Sequence, residues 1–290
     1  VSGFLARASA EAHDRVAEAL RLVPLAELRR APVAPVPSLH AALSAPGVRI
    51  IAEIKRASPS RGHLAWVPDP AAQAAAYARG GAAAISVLTE PAHFHGTLAD
   101  LSAVVAAVDV PVIRKDFVVD PYQVWEARRA GAAALLLIVA ALDDDALVAL
   151  LEQTAAAGLD ALVEVHDVAE ATRAAAAYTA ASRAPRAIVG VNARDLATLE
   201  VDPGRFAACV EALPAGAIAV AESGVHGAEQ VSAAGAAGAD AVLVGEHVVT
   251  SAEPEAAVRR LAEAGADASV EQARAGRSPV AAVPDEGTRT

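Results

Sequence analysis

The sequence predicts an α/β protein built as a (β/α)8 TIM barrel behind an N-terminal helical extension. Three observations carry this. Eight short apolar runs alternate with Ala-rich helical segments. The runs start roughly 20–35 residues apart, the length a βαβ crossover needs. They are also nearly continuous in apolar residues, as parallel strands buried on both faces are. An open doubly wound sheet would show the same alternation. The count of eight and the lack of a Gly-rich dinucleotide fingerprint after the first run favour closure.

Taken in order, residues 1–49 form the extension, two or three short helical pieces divided by the Pro-rich bend from Ala31 to Pro37. The barrel occupies 50–265, with strands near 50–54, 83–88, 111–114, 133–139, 161–165, 187–191, 217–221 and 240–244. Helical stretches at 70–79, 121–130, 143–157 and 225–237 lie between them, and several end in glycine (Gly80-Gly81, Gly131, Gly238) as helix C-caps do. Residues 266–290 lose all periodicity and read as a disordered tail.

Composition bounds the function. At 54% hydrophobic and 3% aromatic residues, the core must be made of Ala, Val, Leu and Ile. A net charge of −11 argues against a nucleic-acid partner, and no apolar run approaches the length of a membrane span. No cleavable signal pattern opens the chain, and the one cysteine, Cys209, allows no internal disulfide, so a reducing cytoplasm is expected. Only two of the 24 Lys and Arg residues are lysines, Lys55 and Lys115. A chain that otherwise uses Arg for positive charge keeps Lys where a compact, titratable ammonium is needed.

In such barrels the chemistry sits at the C-terminal strand ends. Those ends carry Glu53 and Lys55; Thr89 and Glu90; Lys115 and Asp116; apolar Val139; Glu164; Asn192 and Arg194; Glu222, Ser223 and Gly224; Gly245 and Glu246. Alternation puts Glu53 and Lys55 on one side of the first strand, facing the mouth. Glu164 stands alone in an apolar strand, so it must be paired or functional. A Lys–Glu lattice here reads either as structural ion pairs or as acid–base machinery, and the two readings overlap. Ser223, Gly224, Gly245 and Glu246 follow strands seven and eight, where backbone N–H groups commonly bind phosphate. The histidines show no metal-ligand spacing, so neither metal nor cofactor is expected. Cys209 reads as packing, and Asp143-Asp144-Asp145 as a helix N-terminus.

Six segments carry a more specific signal: Ile51–Ser60, Ser86–Glu90, Arg114–Phe117, Leu162–Val165, Gly190–Leu196 and Ala221–Val225. In order and spacing they resemble the indole-3-glycerol-phosphate synthase family. The resemblance implies a carboxy-lyase that closes, decarboxylates and dehydrates 1-(2-carboxyphenylamino)-1-deoxyribulose 5-phosphate. It implies Lys115 as proton donor, Glu164 and Glu53 as the dehydrating pair, and Lys55 beside them holding an anion. Asn192 matches a position contacting a sugar hydroxyl, and Arg194 one that orients Lys115 and Glu164. Ser58, Phe117, Glu222 and Ser223 match substrate-lining positions, and the extension matches a helix that covers the mouth. A small-molecule phosphosugar–anthranilate substrate and a monomer or weak homodimer are expected. The departures lie at residues 178–186, at His95 and at Glu246. Another phosphosugar barrel enzyme (a Schiff-base aldolase with Lys115 as nucleophile, or an isomerase) and a non-catalytic phosphate-binding barrel are the competing readings.

Overall fold

Eight parallel strands close on themselves in the computed structural model, which describes residues 3–30, 32–195 and 198–268. They are β1 (Arg49–Ile54), β2 (Ala84–Leu88), β3 (Val112–Lys115), β4 (Ala134–Ile138), β5 (Asp160–Val165), β6 (Ile188–Asn192), β7 (Ile218–Glu222) and β8 (Ala241–Val244). Each pairs with its neighbour in sequence. The β8 strand returns to β1 in the register Arg49↔Ala241 to Ala52↔Val244, so the sheet has no free edge. Every strand begins and ends within one residue of its expected bounds.

Helices cover the barrel because local chemistry starts and stops them. Asp69, Thr97, Asp120, Asp143 and Asp167 each accept a backbone N–H at a helix start. Gly131 and Gly238 follow helix ends at φ 87° and 95°, a conformation that favours glycine. The helix Pro254–Asp267 runs two residues beyond the expected end of the barrel. Its Gly265 carbonyl accepts from Val48 N at 2.8 Å, and a Cβ on Gly265 would lie 2.1 Å from Val48 O. The expected tail from 269 onward lies outside the described residues. No described helix is long and apolar enough to cross a membrane.

Strand alternation sorts the core into two sets. Ala52, Ile85, Val163 and Val242 face outward under the helices. Ile51, Ile113, Leu162, Ile188, Val220 and Leu243 fill the interior. The extension splits between the two ends of this interior, whereas the resemblance implied a cover for the mouth. Its first helix, Gly3–Leu22, lies at the mouth, where Phe4 meets Phe117 and Arg15 reaches Asp116 at 2.8 Å. Its last helix, Leu39–Leu43, closes the base. There Leu39 and Leu43 are fully buried, and Ser38 Oγ and His40 N donate to Asp160 at the start of β5, both at 3.0 Å.

Candidate active site

The inward-facing residues at the upper ends of β1, β3, β5 and β7 are Glu53, Lys115, Glu164 and Glu222. Alternate strands of a barrel contribute to one layer, so these four side chains meet on its axis. Lys115 Nζ lies 2.7 Å from Glu222 Oε2, 3.5 Å from Glu164 Oε2 and 3.7 Å from Glu53 Oε2. Lys55 Nζ lies 2.9 Å from the other Glu53 oxygen. Two glycines make room for this packing. A Cβ on Gly190 would sit 1.9 Å from Glu222 Oε1, and one on Gly245 would sit 2.5 Å from Glu53 Oε1 and 2.8 Å from Lys55 Nζ.

The groups tune one another. Burial alone would lower the Lys115 pKa, but the carboxylates of Glu222, Glu53 and Glu164 reverse this and hold it above the ordinary lysine value. Burial raises Glu53 and Glu164. Lys55 and Lys115 outweigh it for the first, and Lys115, His166 and Asn192 for the second, so both stay below the usual carboxylate range. Glu222 differs. Burial lifts it, Lys115 pulls it down, and repulsion from Glu164 and Glu53 lifts it again, leaving it pushed up to about 7. Its Oε1 has no hydrogen-bond partner among the described residues. The layer therefore holds two firm carboxylates, one firm ammonium and one carboxyl that titrates near neutrality.

Above this floor opens a cavity of about 1140 Å³, mouth included. Phe4, Phe94, Phe117, Leu136, Ile138 and Leu243 form apolar wall, and Ser58, Asn192, Ser223, Gly224, Gly245 and Glu246 line it as well. Asn192 ties floor to rim: its Nδ2 donates to Glu164 Oε1 at 3.2 Å, and its Oδ1 accepts from Ser223 Oγ at 2.8 Å. Ser223 and Gly224 take successive left-handed conformations, φ 66° and 76°, which curl the backbone after β7. Glu246 carries a negative charge to the same rim, where Arg61 pairs with it at 3.0 Å.

Arg194 lines the cavity, but its guanidinium donates to Leu199 O at 2.9 Å. Among the described contacts it reaches neither Lys115 nor Glu164, the groups it was expected to orient. The rim residues Thr89, Glu90 and Asp116 serve the scaffold. Glu90 accepts from the backbone of Ala92, His93 and Phe94, and Asp116 accepts from Thr89, Arg15 and Arg114. Sequence spacing also hid one convergence: Glu11, Glu90 and His93 bring ligand-type atoms within 4.8 Å of one another. The Glu90 oxygens there are already engaged by those backbone donors and, at 3.7 Å, by Arg15. Sequence reasoning missed His166 and Gly190. A signal for His166 was available, since it lies two residues beyond Glu164 along the strand direction and so projects to the same side.

The sequence profile of a family described as Indole-3-glycerol phosphate synthase matches residues 5–261. The chain is 54% identical over 246 residues to the indole-3-glycerol phosphate synthase of Mycobacterium avium (strain 104), covering 84% of this chain and 88% of that protein. It is 53% identical over 264 residues to the enzyme of that name from Mycolicibacterium vanbaalenii, covering 91% of each. Two solved structures share the fold at low identity. Thiamine phosphate pyrophosphorylase from Pyrococcus furiosus aligns with TM-score 0.55 at 16% identity, over 75% of this chain and 94% of that one. The ligand-free form of a tryptophan synthase from M. tuberculosis aligns with TM-score 0.57 at 18% identity, over 78% and 95%.

Proposed function

This chain belongs to the indole-3-glycerol phosphate synthase family, and we propose that Lys115 and the three carboxylates around it carry the acid–base steps of that reaction. The enzyme is a carboxy-lyase. It converts 1-(2-carboxyphenylamino)-1-deoxyribulose 5-phosphate to indole-3-glycerol phosphate, carbon dioxide and water. The observation that supports the assignment is one ammonium within 2.7–3.7 Å of carboxylates on three strands, on the floor of an apolar-walled cavity.

The substrate phosphate is read at the loops after β7 and β8, against Ser223, Gly224 and the backbone of Gly245 and Glu246, with its aromatic ring among Phe4, Phe94 and Phe117. Ser58 lines the same mouth. Lys55, paired among the described residues with Glu53, holds the substrate carboxylate or phosphate. Ring closure joins the ring carbon bearing the carboxylate to the ketone carbon, and Lys115 gives its proton to the ketone oxygen. That transfer is favourable because the developing alkoxide is a stronger base than the Lys115 amine it takes the proton from. The carbon–carboxylate electron pair then restores the aromatic ring as carbon dioxide leaves. Dehydration needs a proton on the new hydroxyl and removal of one from the neighbouring carbon. We assign the removal to ionised Glu164 and delivery of the other proton to Glu222, with ionised Glu53 of the same acid–base group holding Lys55 and Lys115. Asn192 orients Glu164 and reaches a sugar hydroxyl; Arg194 braces the rim loop.

No step here calls for a metal or cofactor. The acidic balance of the chain supports a small-molecule substrate over a nucleic acid or membrane partner. We read the protein as cytoplasmic, a monomer or weak homodimer. The assay is direct: purified protein with the carboxyphenylamino substrate and no added metal should develop indole fluorescence. No rise at micromolar enzyme would overturn the reading. The aldolase alternative requires a neutral Lys115, which the surrounding carboxylates oppose, and a borohydride-trapped adduct on Lys115 would revive it.

A further inference from the structure

We propose that His166 is a positioning residue for this chemistry, a positively charged strut clamped between Glu170 and Glu164 that holds Glu164 in place and in its ionised form. The inference rests on the reading of Glu164 as an acid–base group and goes on to say what makes Glu164 different from its neighbours.

His166 follows β5 directly and is buried, with 9% of its surface exposed. Its Nδ1 lies 3.0 Å from Glu170 Oε2, and the same oxygen accepts from His166 N at 2.8 Å. Its Nε2 lies 3.2 Å from Glu164 Oε1, out of line for a hydrogen bond but in direct charge contact. An imidazole with a carboxylate at each nitrogen is favourable on both sides only when both nitrogens carry protons. Burial works against that charge, and Glu164 and Glu170 overcome it, raising the pKa to about 10. Glu170 is itself held. It sits in the first turn of the helix Val168–Ala180, and its N–H donates to the N-cap Asp167 at 2.8 Å. The strut is thus anchored in the turn that leaves the strand carrying Glu164.

The charged and polar groups facing Glu164 are Lys115 on β3, the amide of Asn192 on β6, His166 beyond β5, and the carboxylates Glu53 and Glu222 on β1 and β7. Lys115 is shared among three carboxylates. Glu53 has Lys55 as a second cation and Glu164 has His166, whereas the ion pairs of Glu222 end at Lys115 among the described residues. The second cation decides which carboxyls stay ionised when the basin is crowded with negative charge. Without His166, Glu164 would share Lys115 on the terms Glu222 has now.

The test compares wild type with His166→Gln, which keeps a polar side chain and removes the charge. The acid limb of the kcat–pH profile should move up by about one pH unit, so turnover below the limb falls roughly tenfold relative to the alkaline plateau. KM should change little, and any loss on the plateau should be smaller than the loss below the limb. A uniform loss at all pH values with the limb unmoved would mean a packing role and overturn the proposal. Glu170→Gln, remote from the cavity, should shift the same limb in the same direction by less; an unmoved limb counts against the strut. Nuclear magnetic resonance titration of the wild-type imidazole reads the charge without any variant. His166 should stay protonated through pH 8, and a midpoint near the ordinary histidine value of about 6.5 would overturn the inference. Glu164→Gln keeps the two ideas apart. Full turnover in that variant would sink the acid–base reading of Glu164, whatever the imidazole titration shows.

Discussion

Two layers of the barrel interior, one residue pair apart on the same four strands, make opposite use of burial. The lower layer is Ile51, Ile113, Leu162 and Val220; two residues further along β1, β3, β5 and β7 come Glu53, Lys115, Glu164 and Glu222. Both are almost out of water, with Glu53 and Glu164 each 3% exposed and Leu162 fully buried. The backbone geometry is the same in each case, so the difference lies in what burial does to the side chain. In the lower layer it stabilises the fold in proportion to apolar area. In the upper layer it penalises each charge, and the layer persists because the charges face one another. The lesson is that the fold rests on the lower layer and the reaction on the upper, and substitutions should separate them.

The largest expected effect is on the upper layer. Lys115→Ala should reduce kcat on the order of 100-fold or more, as loss of a general acid does. Lys115→Arg should not restore it, because guanidinium hardly releases a proton. Steady-state fluorescence assays, with a thermal melt to confirm folding, would check both. Next comes the lower layer. Leu162→Ala should destabilise by about 2–5 kcal/mol in denaturant unfolding while turnover per folded molecule stays close to wild type. If it abolished turnover in a folded protein, the separation between layers would fail.

A pH experiment sharpens the contrast inside the upper layer. Glu222 is raised to about 7, so between the unfolded carboxyl value near 4.5 and pH 7 the native state holds a proton that the unfolded chain has released. Stability from this group therefore falls as pH rises through that window and is level above it. Glu53 and Glu164, both lowered, act the other way: their contribution is present above the unfolded value and is lost as pH falls through their folded values. Glu222→Gln should remove the downward slope, on the order of 1–3 kcal/mol across the window, in melts at a series of pH values. A difference curve that is flat from pH 4.5 to 7 would contradict the assigned shift. The smallest effect belongs to the periphery. The 2.9 Å pair of Glu11 with His93 joins the first helix to the loop after β2 and is partly exposed. Glu11→Gln should cost about 0–1 kcal/mol in the same melts.

Much of this was legible in the residues. Apolar runs such as 133–139 and their spacing located the strands, because parallel strands covered on both faces leave little choice of residue type. Alternation placed Glu53 and Lys55 on one side, and the structure has them 2.9 Å apart. An isolated Glu164 in an apolar strand signalled a partner. The partners themselves were legible only in part. Read as structural ion pairs, the residues offered Lys115 with Glu53, which the structure has at 3.7 Å. They also offered Lys55 with Glu164, where Lys55 instead meets Glu53. The nearest partner of Lys115, Glu222 from a strand 107 residues away, was not offered. Arg194 was expected at Lys115 and Glu164, yet it turns to Leu199 O. Gly190 stood in one of the six segments without a reason of its own, which the Glu222 side chain packed against it supplies.

The sequence by itself therefore determined the strands, their inward faces and the rim to which the ionisable groups belong. Those depend on periodicity and on the C-terminal placement of barrel chemistry, both local or general. Only the tertiary structure decided which charge meets which, that one part of the extension sits at the mouth while another closes the base, and that His166 backs Glu164. Those depend on how eight registers close around a common axis, a constraint that no single strand carries in its own residues.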